Sequence, residues 1–377
     1  MRLRMSAPAD EIRQAVRRYA REQLAPHAAK WDQEKTFPRE ALNGLAEMGL
    51  YGVAISEQWG GAGLDYTSLA VACEEIAAGD CATATIVAVN NLVAGILAGY
   101  GSEAQKTRFL RPLAEGRILA AFALTEPQVG SDASAITTRA ERKGNEYVLN
   151  GVKQFITSGK NADIVVVFAV TSKDAGKRGI SAFLVSTSAP GYKVARIEEK
   201  TGQRASDTAQ IVLENCRTTE RLGEEGVGYR IALANLESGR INVAAQATGV
   251  ARAALEAAVG YARERKSMGK HLIEHQAVNF RLADMATQVE AARQLYLHAA
   301  RLRDEGKPCL KEASMAKLFA SEMAEKVCSD AIQIHGGYGY VSDFPVERLW
   351  RDVRVTKIYE GANDIQRLVI GRSLEEG

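Results

Sequence analysis

The stretch AFALTEPQVGSD, residues 121–132, marks the point at which the periodicity of the chain changes. Before it, from Asp10 to about Gly116, apolar residues recur at the spacing of an amphipathic helix. After it, short apolar runs alternate with turn residues. We therefore predict a helical region that gives way to strands at Ala121.

The middle region, from about Ala121 to Glu214, has the pattern of a β-domain. Its clearest apolar runs are AFALT (residues 121–125), YVLNG (147–151), DIVVVFAV (163–170) and ISAFLV (180–185). Lys143-Gly144-Asn145 and Asn150-Gly151 are hairpin signals between them. Because no helical segments separate these runs, we expect antiparallel pairing in a small barrel or sandwich, and a Rossmann domain is excluded.

The helical period returns after about Gly228. Long segments run over residues 229–265, 274–304 and 308–334, and a shorter one over 364–372. Long antiparallel helices with short connections indicate a bundle. The predicted fold is therefore an α+β chain of three domains, with a helical domain at 1–120, a β-domain at 121–228 and a helical bundle at 229–377.

The composition of the 377 residues excludes some classes of function. Lys and Arg total 48 and Asp and Glu total 46, so the net charge is +2. So small a surplus gives no electrostatic footprint for nucleic acid or an anionic membrane. The five cysteines lie far apart and form no CxxC pair, which favours reduced thiols over a disulfide framework.

Two segments bear on where the protein acts. The opening MRLRMSAPADEIRQAVRRY has positive charge but no apolar core, so it does not resemble a secretory signal. The uncharged run from Cys81 to Gly101 is long enough to span a membrane, but Asn90 and Asn91 occupy its centre. We expect a buried core helix there, no membrane span, and a cytoplasmic protein.

Two motifs of the middle region have open interpretations when they are taken singly. LTEPQVGSD (residues 124–132) carries backbone amides and hydroxyls at a strand end, which suit a polar ring edge or a phosphate, or form a plain surface turn. In KQFITSGKNAD (153–163), Phe155 could stack on a planar ring or lie in the core.

The C-terminal region carries three further motifs. The basic cluster of YARERKSMGKHLIEHQ (261–276) suits a pyrophosphate or a solvated helix end. QIHGGYGY (333–340) ends a helix in a double glycine, and His335 has no other metal-ligand types nearby, so we expect no metal site. In IYEGAND (358–364), Glu360 is either an exposed loop residue or a desolvated base with a raised pKa.

Taken together and in this order, these motifs resemble the acyl-CoA dehydrogenase family. They are LTEP-x-x-GSD, F-I-T-S-G, ERK-x-x-GK-x-x-x-EHQ, QI-x-GG-x-GY and IYEG followed by IQR, and the resemblance extends from about Asp10 to Arg372. It implies a helical N-terminal domain, a β-domain and a C-terminal four-helix domain. It also implies FAD as cofactor and a homotetramer.

The resemblance implies an activity as well. Glu360 is then the base that removes the pro-R α-proton of an acyl-CoA thioester, while the β-hydrogen leaves as hydride to flavin N5. The product is the trans-2-enoyl-CoA, and the electrons pass to an electron-transfer flavoprotein. The backbone N–H of Glu360 and a ribityl hydroxyl would hold the thioester oxygen, where negative charge develops. The implied substrate-binding residues are Ser131, Glu237, Arg240 and Gly361, with Glu237–Arg240 resembling a CoA-contacting turn.

The implied FAD-binding residues fall in five segments. The segment at 265–276 resembles one that reaches the flavin of a neighbouring subunit, and the segment at 333–337 resembles one that holds the adenine–pyrophosphate half. The full set is Phe122, Leu124, Thr125, Gly130, Ser131, Phe155, Ile156, Thr157, Arg265, Ser267, Met268, His275, Gln276, Gln333, Ile334, Gly336, Gly337, Ala362, Asn363 and Asp364.

Some positions depart from the family pattern, and one of them bears on the substrate. Phe155 stands where Trp is usual, and Ala362 stands where Thr is usual. Members for long or branched acyl groups carry their base just before the arginine of the middle helix, where this chain has Gly239. The resemblance therefore disfavours those subgroups. Asn90–Asn91 resembles short-chain members, which favours a butyryl-CoA-like substrate.

Three alternatives to a short-chain dehydrogenase remain at this point. The first is a branched-chain, medium-chain, glutaryl-type or otherwise specialised acyl-CoA dehydrogenase, and the second is a flavin oxidase on the same fold. The third belongs to a different class, a catalytically silent scaffold that binds CoA or flavin. A scaffold needs no carboxylate facing the flavin, so the presence of Glu360 speaks against it.

Overall fold

The computed structural model describes residues 6–375, and it begins with seven helices. They are α1 (Ala7–Tyr19), α2 (Ala25–Glu34), α3 (Arg39–Glu47), α4 (Tyr66–Gly79), α5 (Cys81–Tyr100), α6 (Glu103–Gln105) and α7 (Arg111–Ala114). Wide π-helical turns at Ala20–Leu24 and Lys106–Leu110 join α1 to α2 and α6 to α7. The side chains of Asp65 and Asp80 accept backbone N–H groups in the first turns of α4 and α5, which stabilises both helix starts.

Helix α5 is the core helix that its uncharged sequence predicts. An 18-residue window of it has a mean hydropathy of 1.8, and 78% of that window is buried inside the protein. The two asparagines at its centre are used within the fold. Asn90 Oδ1 accepts a hydrogen bond from the Ala120 N–H at 2.8 Å, and Asn91 Nδ2 donates to the Leu50 carbonyl at 2.8 Å. Both side chains therefore fix α5 against neighbouring backbone.

The middle region is one eight-stranded sheet. Its strands are β1 (Ala120–Ala123), β2 (Arg139–Lys143), β3 (Glu146–Thr157), β4 (Ile164–Val170), β5 (Ile180–Ser186), β6 (Tyr192–Ile197), β7 (Thr208–Thr218) and β8 (Arg221–Leu222). The order across the sheet is β6-β7-β3-β2-β4-β5-β8, with β1 beside β4. Within residues 6–375 the strand order ends at β6 on one side and at β8 on the other, so the sheet does not close into a barrel. The sheet is mixed, because it contains both parallel and antiparallel pairs.

The prediction of purely antiparallel pairing is wrong at two places in this sheet. β1 runs parallel to β4, from Ala120 beside Ile164 onward, and β2 meets β4 in parallel at Arg139 and Val170. Tight turns join only antiparallel neighbours, whereas β1 and β4 are separated by the β2–β3 hairpin. The turn signals in the sequence therefore carry no information about this pairing.

The C-terminal region contains five helices and a short hairpin. They are α8 (Gly228–Glu264), the strands β9 (Lys266–Ser267) and β10 (Lys270–His271), α9 (Gln276–Asp304), α10 (Leu310–His335), α11 (Val346–Val353) and α12 (Asn363–Glu375). Helices α8, α9 and α10 pack on one another and α12 packs on α10, which is the predicted four-helix arrangement. With 37 residues, α8 is about 55 Å long.

The domain bounds at 1–120, 121–228 and 229–377 stay a prediction, and two elements begin beside them. β1 begins one residue before the predicted boundary at 121, and α8 begins one residue before 229. Residues 1–5 and 376–377 of the predicted outer domains lie outside the described part of the chain. The five cysteines are free and buried; they are Cys73, Cys81, Cys216, Cys309 and Cys328.

A buried charge cluster joins the two helical regions. Glu74 on α4 accepts hydrogen bonds from Arg252 on α8 and from Arg293 and Tyr296 on α9. Burial alone would raise the pKa of the Glu74 carboxyl group, but hydrogen bonds and positive charge from the arginines outweigh it and lower the pKa to about 2. Glu74 is therefore ionised at neutral pH and holds the helices together as a charge.

Candidate active site

Glu360 lies on an irregular link between the 3₁₀ turn Arg354–Lys357 and helix α12. Its backbone is left-handed, with φ 54°, and Gly361 follows with φ 87°. A non-glycine residue in this region costs on the order of 1 kcal/mol, so the surrounding structure must hold it there. Gln366 Nε2 does so in part, because it donates to the carbonyl oxygens of Gly361 at 2.7 Å and Glu360 at 3.3 Å.

The carboxyl group of Glu360 is enclosed although the residue as a whole is half-buried. Its Oε2 atom is buried and has no hydrogen-bond partner among the described residues. The atom lies over Gly239 of α8, where an added Cβ would come within 2.5 Å of it. Burial raises the pKa of this carboxyl group to about 7, and the positive charges of Arg240 and Lys317 oppose that rise. Glu360 can therefore take up and release a proton near neutral pH.

Arg240 is the predicted substrate-binding residue that the fold brings to Glu360. It is 5% exposed, its Nη1 donates to Ser314 Oγ at 3.1 Å, and its Nε has no partner within residues 6–375. Glu237, one helical turn earlier, is already engaged: its Oε1 accepts from Arg303 Nη1 at 3.0 Å. The predicted CoA-contacting turn is thus a turn of helix α8, in which Arg240 keeps a free donor and Glu237 belongs to an ion pair.

Tyr359, just before the base, anchors the link on its other side. Its hydroxyl donates to Gln246 Oε1 at 2.5 Å. Gln246 Nε2 in turn donates to Thr85 Oγ1, and that hydroxyl donates to Gln203 Oε1 at 2.6 Å. This chain of hydrogen bonds connects the link to α8, α5 and the loop between β6 and β7. The sequence analysis missed it, and its only signal is the presence of polar residues within apolar helical stretches.

Residues after Glu360 are divided between the interior and the surface. Asn363 is buried, and its Oδ1 accepts from Lys317 Nζ at 2.8 Å, so this side chain already has a partner. Ala362 is half-buried. Asp364 is exposed on the first turn of α12 and pairs with Arg367 at 3.3 Å.

The two motifs of the β-region meet at the ends of β1 and β3. Lys153 Nζ donates to the Leu124 carbonyl at 3.0 Å and to Glu126 Oε1 at 2.9 Å. The Gln154 N–H donates to the Thr125 carbonyl at 2.9 Å. Glu126 and Lys153, both fully buried, therefore fix the LTEP segment against β3. Neither residue was singled out from the sequence.

A β-bulge in β3 exposes Phe155. The register with β7 shifts between Lys153 and Ile156, and Phe155 has φ 60° and a side chain that is 62% exposed. A bulge redirects one side chain away from the sheet, so the interpretation of Phe155 as a core residue is wrong. Ile156 beside it packs in the core. Thr157 is half-buried at the strand end.

The other predicted residues of the β-region belong to β1 and to the segment that follows it. Phe122 is half-buried, with its ring 5.1 Å from that of Phe168, and Leu124 is 9% exposed. Gly130 and Ser131 lie on an exposed turn. Backbone amides on such a turn are accessible to a polar ligand.

A separate group of predicted residues lies at the far end of α8 and α10. The Arg265 guanidinium is 5.9 Å from the Tyr338 ring, and His275 Nε2 lies 3.0 Å from the Ser267 carbonyl oxygen. Met268 is 92% exposed. Gln276, Gln333, Gly336 and Gly337 are also exposed, while Ile334 is buried.

This far group is not brought to Glu360 within one chain. About 37 Å of helix α8 separate Arg240, which lies beside the base, from Arg265. The separation fits the implication that the segment at 265–276 serves the flavin of a neighbouring subunit. Within residues 6–375, no group of three or more His, Cys, Asp or Glu residues is arranged to hold a metal ion.

Comparison with known proteins places this geometry in a family. Three domain families match the chain: "Acyl-CoA dehydrogenase, N-terminal domain" over residues 6–117, "middle domain" over 121–216 and "C-terminal domain" over 226–375. The chain is 45% identical over 366 residues to the mitochondrial short-chain specific acyl-CoA dehydrogenase of Rattus norvegicus, covering 96% of this chain and 89% of the relative.

Two solved structures are similar over the whole length of both chains. Butyryl-CoA dehydrogenase from Megasphaera elsdenii superimposes with a TM-score of 0.97 at 40% identity. A chain from the work on the electron transferring flavoprotein of Acidaminococcus fermentans and flavin-based electron bifurcation superimposes with a TM-score of 0.98 at 43% identity. With an enclosed glutamate on the expected link and all three domains matched, the chain is an oxidoreductase that belongs to the acyl-CoA dehydrogenase family.

Proposed function

We propose that the protein uses FAD to dehydrogenate short-chain acyl-CoA thioesters between C2 and C3, with Glu360 as the base. The observation that carries the proposal is the Glu360 carboxyl group, whose enclosed Oε2 has no hydrogen-bond partner in the described chain. Its pKa is raised to about 7. A structural carboxylate would be paired, whereas a base must keep one oxygen free for the proton that it accepts.

The α-proton of a thioester is a weak acid, so removing it requires donors directed at the thioester oxygen. The backbone N–H of Glu360 is available for this role, because it donates to no group within residues 6–375. Gln366 holds the adjoining carbonyl groups in place. Glu360 therefore supplies both the base and one donor, and Arg240 stabilises the carboxylate form by its charge.

The residues present fit a flavin. Phe155 exposes an aromatic ring near the end of β3, and hydrogen bonds from Lys153 to Leu124 and from Gln154 to Thr125 hold the segment after β1 beside that strand. Phe122 and Thr157 lie on the same two strands. An exposed aromatic on a bulge suits a planar ring system. FAD, when bound, accepts the β-hydrogen as hydride. Arg265 and the Gln333–Gly337 segment would hold the remainder of a neighbouring subunit's cofactor.

A short-chain substrate is favoured by the relatives and by Gly239. Proteins similar over nearly the full chain are named for short-chain or butyryl substrates. Gly239 stands where members for longer or branched substrates carry their base, and Glu360 occupies the space above it. Asn90 and Asn91 support a short-chain substrate less strongly, because their side chains form hydrogen bonds to the backbone within the fold.

The remaining expectations follow from the same family. We propose an electron-transfer flavoprotein as the electron acceptor, supported by the likeness to a chain from the work on such a protein. A homotetramer would bring the segment at 265–276 to a neighbouring flavin. The free buried cysteines fit a reducing compartment, and we place the protein in the cytoplasm.

The experiment is an anaerobic titration of the purified yellow protein with saturated acyl-CoAs from butyryl to palmitoyl, isobutyryl-CoA included. We expect butyryl-CoA to bleach the flavin band at the lowest concentration. Acetyl-CoA is the control, because it has no β-carbon and must leave the band unchanged. Bleaching only by longer or branched thioesters would correct the substrate.

Two further results would contradict the reaction itself. The first is a flavin-loaded protein that none of these thioesters bleaches, and the second is a colourless protein that cannot be reconstituted with FAD. Rapid turnover with oxygen in place of an electron-transfer flavoprotein would identify an oxidase.

A further inference from the structure

Lys317 is a buried charge that the reaction described above does not use. It lies in the middle of α10, fully buried, on a face otherwise formed by small residues, alanines and serines such as Ala313 and Ser321. Its Nζ donates to the Gly361 carbonyl at 2.9 Å and to Asn363 Oδ1 at 2.8 Å. Both acceptors belong to the link that carries the base.

The ammonium group has no carboxylate partner of its own. Among the described residues, no Asp or Glu forms an ion pair with Lys317, although burying an unpaired ammonium group is costly. The charged groups around it are Glu360 on the link, Arg240 on α8 and Glu322 on α10. Glu322 is already paired with Arg367 at 2.5 Å. Glu360 is therefore the carboxylate left to balance Lys317.

The hydrogen bonds of Lys317 act on the strained part of the link. Glu360 and Gly361 both have positive φ, and the Gly361 carbonyl accepts from Lys317 Nζ and Gln366 Nε2 together. A neutral side chain could supply such a hydrogen bond without the cost of a buried charge. Hydrogen bonding alone thus does not account for a lysine at this position.

We propose that Lys317 is a positioning residue for the reaction: it holds the link 360–363, with its left-handed Glu360 and Gly361, in place and supplies a positive charge that favours the ionised Glu360 carboxylate. This inference rests on the proposed function, since it assigns the ionised carboxylate its role as base. Arg240 already acts on the base by its charge, and Gln366 already holds the link by hydrogen bonds. Lys317 on α10 would be a third residue that acts on them.

The electrostatics of the pair agree with this geometry. Burial raises the pKa of Glu360 to about 7, with Arg240 and Lys317 opposing the rise. Burial likewise lowers the pKa of Lys317 to about 7, with Glu360 opposing that fall. Each charge thus favours the other, and removing the ammonium group must raise the pKa of the base further.

The test is the Lys317→Met holoenzyme, with the second-order rate of flavin bleaching by butyryl-CoA measured anaerobically against pH. We expect the midpoint of the rise in rate to move up by on the order of one pH unit. The rate at pH 7 should then fall about fivefold, with flavin content unchanged. The matched control is Lys326→Met, which removes a 60%-exposed lysine from the same helix and should leave the profile in place.

A second variant separates charge from hydrogen bonding. Lys317→Gln can still donate to the link but carries no charge, so we expect the same displacement of the midpoint with a higher plateau rate than in Lys317→Met. An unshifted midpoint in both variants, with flavin retained, would overturn the inference. So would loss of flavin and native structure in both, because Lys317 would then be a plain structural residue.

The wild type separates this inference from the proposed function. A wild-type protein that no acyl-CoA bleaches overturns the proposed function, and this inference with it. A wild type bleached by butyryl-CoA, together with variants whose profiles do not move, overturns only the role of Lys317.

Discussion

At the scale of single residues, the site is organised around the space for one carboxylate. Glu360 reaches over α8 because position 239 has no side chain, and its Oε2 occupies that place. The same enclosure removes water from the carboxyl group and raises its pKa to about 7. One glycine therefore allows both the position and the basicity of Glu360.

Substituting this glycine should displace the base. In Gly239→Ala the new Cβ would lie 2.5 Å from Glu360 Oε2, far inside contact distance, so the carboxyl group must move. We expect acyl-CoA-dependent bleaching to slow by at least about tenfold, because small misplacements of a reacting group are costly. Steady-state and single-turnover rates measure this effect.

Gly260→Ala is the matched control, since it lies on the same helix and an added Cβ there would have nothing within 4 Å. It should keep full activity and gain up to about 1 kcal/mol of stability from helix propensity. Equal rates in the two variants would contradict the account of position 239.

The pH dependence of the reaction follows from the raised pKa of Glu360. The carboxyl group is protonated and inactive below its pKa of about 7 and ionised above it. We expect kcat/KM to rise about tenfold per pH unit well below pH 7 and to level off above it, since this parameter reports the free enzyme. A rise centred near pH 4 to 5 would indicate an ordinary exposed carboxyl group instead.

At the scale of elements, buried polar contacts fix the chain segments that carry the site. The Glu126–Lys153 pair holds the end of β1 against β3, and the Tyr359 hydroxyl ties the catalytic link to α8. The Glu74 cluster joins α4 to α8 and α9. These contacts are long-range in sequence, and the Glu74 cluster also connects elements from different regions of the chain.

Removing the charge of Glu74 should destabilise the whole fold. Glu74→Gln removes the buried carboxylate that Arg252 and Arg293 share, and Arg252 keeps Glu75 as a second buried partner, so we expect a cost of about 3–5 kcal/mol in the free energy of unfolding. Thermal or denaturant unfolding measures it. Glu290→Gln is the control, because that carboxylate pairs with Arg293 at the surface and is 56% exposed, so its loss should cost no more than about 1 kcal/mol.

The sign of the pH effect gives a second check on Glu74. Its pKa falls from an ordinary 4.5 to about 2 on folding, so its contribution is present above the unfolded value. That contribution is lost as the pH falls from 4.5 toward 2, and the wild type should lose stability there more steeply than Glu74→Gln. Parallel curves for the two proteins would contradict the buried charge.

The sequence predicts most elements but few of the contacts between them. Helices α8, α9 and α10 begin and end within two residues of their predicted bounds, because apolar periodicity and end signals are local properties. The parallel partner of β1 and the bulge at Phe155 depend on distant strands, so local patterns do not reveal them. Lys317 and Gln366 were missed for the same reason, since their partners on the link are defined only by the fold.

At the scale of the whole molecule, the predicted cofactor residues other than those at 362–364 divide into two groups. One group lies at the ends of β1 and β3, and the other lies at the far ends of α8 and α10, about 37 Å of helix away from Arg240. A single chain does not gather both groups around one base. We propose that association of chains gathers them, so that cofactor binding and assembly would depend on each other.

Arg265→Ala tests that coupling. We expect the variant to lose FAD on dilution or gel filtration and to shift toward smaller assemblies, because Arg265 offers its guanidinium at an exposed hairpin. The ratio of flavin to protein and the mass by light scattering are measured on the same sample. Arg263→Ala removes an exposed arginine from the last turn of α8 and is the control. Unchanged flavin retention in Arg265→Ala would contradict the contact across subunits.

The central claim is that Glu360 is the base, and the most direct measurement compares the wild type with Glu360→Gln. Both are mixed anaerobically with butyryl-CoA, and the visible flavin band is followed by stopped flow. The amide is nearly isosteric with the carboxyl group but cannot accept the α-proton, so the variant should stay yellow and bind CoA, yet lose the bleaching by at least about a hundredfold. Near-normal bleaching in Glu360→Gln would contradict the account.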